Sequence, residues 1–191
     1  MTGDFEERLN QILPTITSDD FLSGRGLGNE IAFFIFDYPP EHELRIRKHI
    51  GFLLDHIPKH KPDLHVAHIN LFDFMIEHLK DRNLLDKILE TQKSKGDDFV
   101  LRQLEKILHP DKLAPIFADQ VKPEEQDLVL VSGVGNVWPL MRTHTLLSNL
   151  HPVMGDTPLV LFYPGKYDGQ SLRLFGKIKS DNYYRAFRLI S

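Results

Sequence analysis

Two hydrophobic rhythms alternate along this chain: short apolar runs of strand length, and longer stretches whose apolar residues return three and four positions apart. Phe5, Leu9, Ile12 and Leu13 form one stripe and predict a short helix over 5–13, ended by Pro14. Ser18-Asp19-Asp20 is placed to cap a turn leading into Phe21-Leu22. The glycine-dense stretch Gly24–Gly28 precedes Ile31–Tyr38, a β-branched and aromatic run that predicts a buried strand stopped by Pro39-Pro40. From Glu41 an amphipathic helix follows, with Leu44, Ile46, Ile50, Leu53, Leu54 and Ile57 on one side, closed by Pro58. Leu64–Phe72 predicts the second strand.

From Phe74 to Gln120 the helical rhythm dominates, with three predicted helices broken near Lys95-Gly96-Asp97 and at His109-Pro110. Leu101, Leu104, Ile107 and Leu108 recur at helical spacing, then Leu113, Ile116 and Phe117, too few for a core of their own. The segment at about 74–120 is therefore expected to be a helical insertion or cover within a single domain spanning 1–191. Asp127–Ser132 predicts a third strand, Pro139–Leu150 a helix, Pro158–Tyr163 a fourth strand ending at Pro164-Gly165, and Tyr184–Ile190 a fifth, after a short helical turn around Ser171-Leu172. Strands alternating with helices imply an α/β fold: a mainly parallel five-stranded sheet flanked by helices in a Rossmann-like or P-loop-like three-layer arrangement. Strand order and oligomeric state are not written in the sequence.

Composition narrows the chemistry. A length of 191 residues suits one domain. A net charge of −4 and pI near 6.2 argue against a dedicated non-specific nucleic-acid binder, while leaving room for a local basic patch. The absence of cysteine excludes disulfides, thiolate zinc sites and cysteine nucleophiles. The first residues are acidic and polar, unlike a signal peptide, and no apolar stretch approaches the roughly 20 residues a bilayer requires, so the expected location is the cytoplasm.

No self-sufficient catalytic, metal or cofactor motif is present. Gly24–Gly28 precedes its strand and lacks a Lys-Ser/Thr pair, so there is no Walker A phosphate loop. Ser132-Gly133-Val134-Gly135-Asn136 follows a strand, the right place for a ligand-binding turn, but no lysine or third glycine completes it. A nucleophile elbow around Ser132 would need glycine at 130, where leucine stands. Asp37 and Asp73 close two strands and could share a carboxyl edge around a magnesium ion, or serve as solvated turn carboxylates. The ten histidines offer no ligand set: His42, His49 and His56 stand two helical turns apart, His56 and His60 straddle Pro58, and His65 and His68 should point to opposite faces of a strand.

The most suggestive surface combines aromatic and cationic residues. Trp138 and Arg142, placed one helical turn apart, follow the third strand; Tyr163, Lys166, Tyr167 and Arg173 surround the end of the fourth. Parallel strands would bring both segments to one carboxyl edge. Trp, Tyr and Arg are the residues that carry binding hot spots. Aromatic and basic groups together also suit nucleic acid, with Arg25, Lys166 and Arg173 as contacts, and the aromatics could equally be core.

Three sets of segments carry a family resemblance. They are Phe5–Leu9 with Phe21-Leu22-Ser23-Gly24-Arg25-Gly26-Leu27-Gly28-Asn29-Glu30; Ile35-Phe36-Asp37-Tyr38-Pro39-Pro40; and Ser132–Pro139 with Phe162–Gly169, followed by the closing Asp181–Arg188. Together they resemble the BrxB family of bacteriophage exclusion (BREX) loci, over nearly the whole chain. The resemblance implies a non-catalytic member of a multi-protein phage-defence assembly, in which the methyltransferase, the phosphatase-like PglZ protein and the large ATPase are separate chains. It implies a protein–protein adaptor role with the PglZ-type protein as first partner, no cofactor, and no catalytic residue to carry over. The alternative is a nucleic-acid-binding or nucleotide-binding accessory subunit.

Overall fold

All six side chains of β1 (Phe33–Tyr38) are buried, which requires cover on both faces of the sheet. The computed structural model describes residues 2–23, 32–179 and 186–190, and it supplies that cover. The parallel strands run in the order β2-β3-β4-β1-β7, where β2 is Val66–Asn70, β3 Leu128–Ser132, β4 Leu159–Tyr167 and β7 Phe187–Arg188. The expected α/β class with a mainly parallel sheet between helices is what forms. Alternate residues divide between two cores. Phe33, Ile35, Val129, Val131, Leu159 and Leu161 face one side, while Phe34, Phe36, Leu128, Leu130, Val160 and Phe162 face the other. Each such side chain contributes roughly 2 kcal/mol on burial.

The second of these cores is closed by α1 (Thr2–Ile16), α2 (Asp19–Leu22) and α3 (Glu43–His60), through Phe5, Leu9, Ile12, Ile46, Ile50 and Leu53 among others. The first is closed by α4 (Leu71–Asp81), α7 (Pro110–Val121) and α8 (Thr143–Met154). Between α4 and α7 lie α5 (Leu85–Lys95) and α6 (Asp97–Ile107), which bury only Val100. The 74–120 region thus covers one face of the sheet with its two ends and projects a helical pair from its middle.

Several expected boundaries move. The first helix runs through Pro14 to Ile16, because the fully buried Ile16 beyond the proline offsets the missing hydrogen bond. The third helix likewise passes Pro58 and stops where Lys61 donates to the carbonyl of Ile57. Four helices, not three, fill the region after β2. The extra break falls at Asn83, whose φ of 54° is the left-handed conformation that asparagine tolerates at a helix end. Leu71 and Phe72 are the first turn of α4 and not strand, because the Asn70 side chain caps the amides of Phe72 and Asp73. The helix expected from Pro139 begins only at Thr143. The chain first makes a 3-10 turn over Val134–Val137 and an open turn that buries Met141, with the Trp138–Pro139 peptide bond cis.

Pro164-Gly165 does not end the fourth strand. It carries β4 beyond the sheet edge to Tyr167, where β5 (Leu172–Leu174) pairs antiparallel with it and β6 (Ile178–Lys179) pairs with β5. Gly165 makes this possible: a Cβ there would stand 2.2 Å from the carbonyl oxygen of Arg173. The helical turn expected around Ser171-Leu172 is therefore a strand. The fifth parallel strand shrinks to Phe187–Arg188, paired with Phe34 and Ile35, and the rest of its expected start at 184–185 lies outside the described residues. No described helix is long and apolar enough to cross a membrane.

Candidate functional site

Trp138 owes its position to the turn that follows β3. Gly133 adopts φ 78°, a left-handed conformation, and its α-carbon lies so close to Asn70 that a Cβ would approach Oδ1 to 2.4 Å. Val134 and Val137 then bury into the core, fixing the 3-10 turn, and the chain emerges with Trp138 at 42% exposure. This is high for the only tryptophan of the chain, whose ring has large apolar area to bury.

Trp138 stands at the meeting of two clefts. The larger is a groove of about 400 Å³ between α4, α5, α6 and the Trp138–Leu140 turn. Its floor includes the buried Met75, Leu79, Val100 and Leu108. Phe72 at 42% exposure and Leu89 at 47% line it together with Trp138, so three of the large exposed apolar side chains of the molecule share one concavity. The only ionised groups of the lining are Asp97 and Asp98, and Gln92 donates to Asp97 at 2.9 Å. Apolar surface gathered in a cleft and rimmed by one sign of charge is the physical mark of a docking site. The smaller cleft is shallow and brings Trp138 beside Arg142, Tyr163 and Lys179. Arg142 is the residue preceding α8, so its side chain departs from the helix start and not one turn along a helix from Trp138.

The remaining expected site residues separate. Tyr163 and Tyr167 are each only 1% exposed and belong to the core, with Tyr163 reaching no further than the wall of the shallow cleft. Burial pushes the Tyr163 hydroxyl well above its usual range. Lys166 and Arg173 are exposed and stand directly opposite each other on β4 and β5. Arg25 lies outside the described residues. Phe72, Leu85, Ile88 and Leu89, which complete the groove, were not singled out in the sequence. The available signal was the Leu85, Ile88, Leu89 stripe on a helix whose surroundings have too little apolar content to cover it.

The carboxyl end of β1, where a P-loop-like domain would cradle a phosphate, is a cleft of about 220 Å³ lined by Arg8, Asp37, Pro39, Pro40 and Lys166. Asp37 accepts a hydrogen bond from Arg8 at 2.8 Å and from the Tyr167 amide at 3.1 Å, and the Arg8 guanidinium lies 5.0 Å from the Phe36 ring centre. The chain leaves β1 through Pro39-Pro40, which offer no amide hydrogens. The corner therefore lacks the row of amide donors of a phosphate cradle, and its Arg8 is already paired with Asp37. Asp37 and Asp73 do not meet, since β1 and β2 are separated by two strands, an offset of about 14 Å. Among the described residues, no three His, Asp or Glu side chains converge on a metal-sized site.

One further polar pair joins adjacent strands: the His68 Nε2 and Ser132 Oγ atoms are 2.8 Å apart. Burial pulls the His68 imidazole below its usual range, against a weaker opposing pull from Asp73. Ser132 is itself buried, so the pair serves as a cross-strand hydrogen bond within the sheet.

Comparison with known proteins agrees with the resemblance carried by the sequence. The family model described as BREX protein BrxB matches residues 67–189. A BREX protein BrxB of Bacillus cereus (strain H3081.97) is 44% identical over 188 residues, 96% of each chain. A BREX protein BrxB of Escherichia coli O9:H4 (strain HS) is 43% identical over 185 residues, 97% of this chain and 91% of the relative. No solved structure matches the chain.

Proposed function

The chain belongs to the BrxB family of BREX proteins, and from that premise we propose that it is a non-catalytic adaptor which docks a neighbouring BREX protein in the groove beside Trp138. Family membership makes it a component of a phage-defence system. The single observation that carries the adaptor reading is the convergence of exposed Phe72, Leu89 and Trp138 on one apolar groove of about 400 Å³. Leaving such a surface in water is unfavourable, and a partner that fills it recovers the burial energy.

The lining also describes its occupant. With Asp97 and Asp98 as the ionised rim, the groove complements a segment with apolar side chains on one face and a lysine or arginine at its flank. An amphipathic helix of a partner protein meets both requirements, with apolar residues at i, i+3, i+4 and i+7 entering the groove. The PglZ-type protein of the same system is the first partner to test.

The test is co-purification of the tagged chain with its locus neighbours. The unmodified chain should retain at least one of them. Trp138→Ala and Leu89→Glu should each weaken retention at an unchanged melting temperature, the former by about 2 kcal/mol or roughly thirtyfold in Kd. Failure to retain any neighbour at low salt would defeat the adaptor reading. Retention that survives both substitutions would leave an adaptor that uses another face.

A further inference from the structure

The small antiparallel sheet beyond the carboxyl edge carries an unusual arrangement of charge. Lys166 on β4 pairs with Arg173 on β5, and Arg173 pairs with Lys179 on β6. Directly paired residues of an antiparallel sheet point to the same side, with Cβ atoms about 5 Å apart. All three are exposed, so three cations form one row across three strands. The residues between them, Tyr167, Leu172 and Leu174, point the other way into the core.

Like charges set directly opposite one another destabilise a sheet. Among the described residues, none of the three has a carboxylate at ion-pair distance. Residues 159–179 hold four cations and a single carboxylate, Asp168, within a chain whose net charge is −4. That carboxylate is already engaged. It accepts hydrogen bonds from the Ser171 hydroxyl at 2.7 Å and from the amides of Ser171 and Gln170, which hold it down at about 2. Among the described residues nothing neutralises the row, and an external anion would relieve its repulsion.

Its surroundings identify the anion. At one end of the row Lys179 lines the shallow cleft with Arg142 and the exposed Trp138. An evenly spaced cation row leading to an exposed aromatic ring fits a chain of phosphates with an unstacked base at its end. An acidic peptide would use the cations and leave the ring without a partner. A duplex keeps its bases paired and offers none to stack. We propose that the outer face of the β4–β5–β6 sheet binds single-stranded nucleic acid, with Lys166, Arg173 and Lys179 along the phosphates and Trp138 stacking a base.

The experiment is fluorescence anisotropy of a labelled oligothymidylate of about 15 nucleotides, titrated with the full chain across a range of salt. Affinity should fall with rising salt at a log–log slope of about −2, as expected for three phosphate contacts on a single strand. Arg173→Glu replaces two repulsive cross-strand pairs by two attractive ones. It should weaken binding by about tenfold or more while the melting temperature holds or rises, an outcome that loss of folding would not produce. Trp138→Ala should weaken binding and leave the salt slope unchanged, because stacking releases no counterions. Absence of binding at low salt, or undiminished binding by Arg173→Glu, overturns the proposal. So does equal binding of a duplex of the same length, or equal competition by polyglutamate, either of which would assign the face to a different polyanion.

Discussion

Tyr167 donates its hydroxyl to the Ala186 carbonyl at 2.7 Å and accepts the Ala186 amide, while its own amide binds Asp37. Through these bonds a single residue joins β4, the end of β1 and the last described segment: its side chain holds Ala186 and its backbone amide holds Asp37. Tyr167→Ala is expected to cost about 3–5 kcal/mol, from the lost ring and the polar groups left unpaired. Trp138→Ala, at an exposed turn, should change stability by less than about 1 kcal/mol. Chemical denaturation of the two variants checks the contrast, and similar losses would place Trp138 in the core instead. From sequence alone these two aromatics were indistinguishable, since both follow a glycine-containing strand end. What separates them is the continuation of β4 past Pro164-Gly165, which turns Tyr167 inward. That continuation depends on a hairpin with Leu172–Leu174 across the loop 168–171, where the sequence pattern points instead to a helical turn.

At the scale of elements, the turn after β3 both presents Trp138 and packs against the cap of α4. Gly133→Ala would impose a side chain at φ 78° and push a Cβ into Asn70 Oδ1, the acceptor for the Phe72 and Asp73 amides. Strain and the damaged cap together predict a loss of about 2–3 kcal/mol, measurable as a lower melting temperature. A loss smaller than about 0.5 kcal/mol would mean that the turn relaxes freely. The strands and the helices of the sheet were legible, because their apolar residues pack locally with periods of two and 3.6. Their ends were less so. Prolines 14 and 58 read as stops but lie within helices whose buried faces extend past them. The break at Asn83 leaves no mark in the apolar pattern, because a left-handed residue needs no apolar signal.

At the scale of the molecule, helices α5 and α6 explain why the groove was invisible in sequence. The periodicity of this region fits an insertion or a cover equally, and in the structure α5 buries none of its side chains and α6 only Val100. The groove exists because this pair stands off from α4 and leaves Leu89 and Phe72 facing space that Trp138 closes. Of the residues expected at the carboxyl edge, Tyr163 and Tyr167 are buried, while Trp138, Arg142, Lys166 and Arg173 divide between two surfaces, an acidic-rimmed apolar groove and a cationic sheet face, meeting at one tryptophan.

That tryptophan permits a direct reading of the central claim. Because the chain has one tryptophan, replacement by fluorotryptophan places a single 19F probe at the groove. Addition of the locus neighbour that co-purifies with the chain should shift or broaden this resonance in proportion to complex formed, and Leu89→Glu should abolish the change. A neighbour that forms a complex while the resonance stays where it was would contradict docking in the groove.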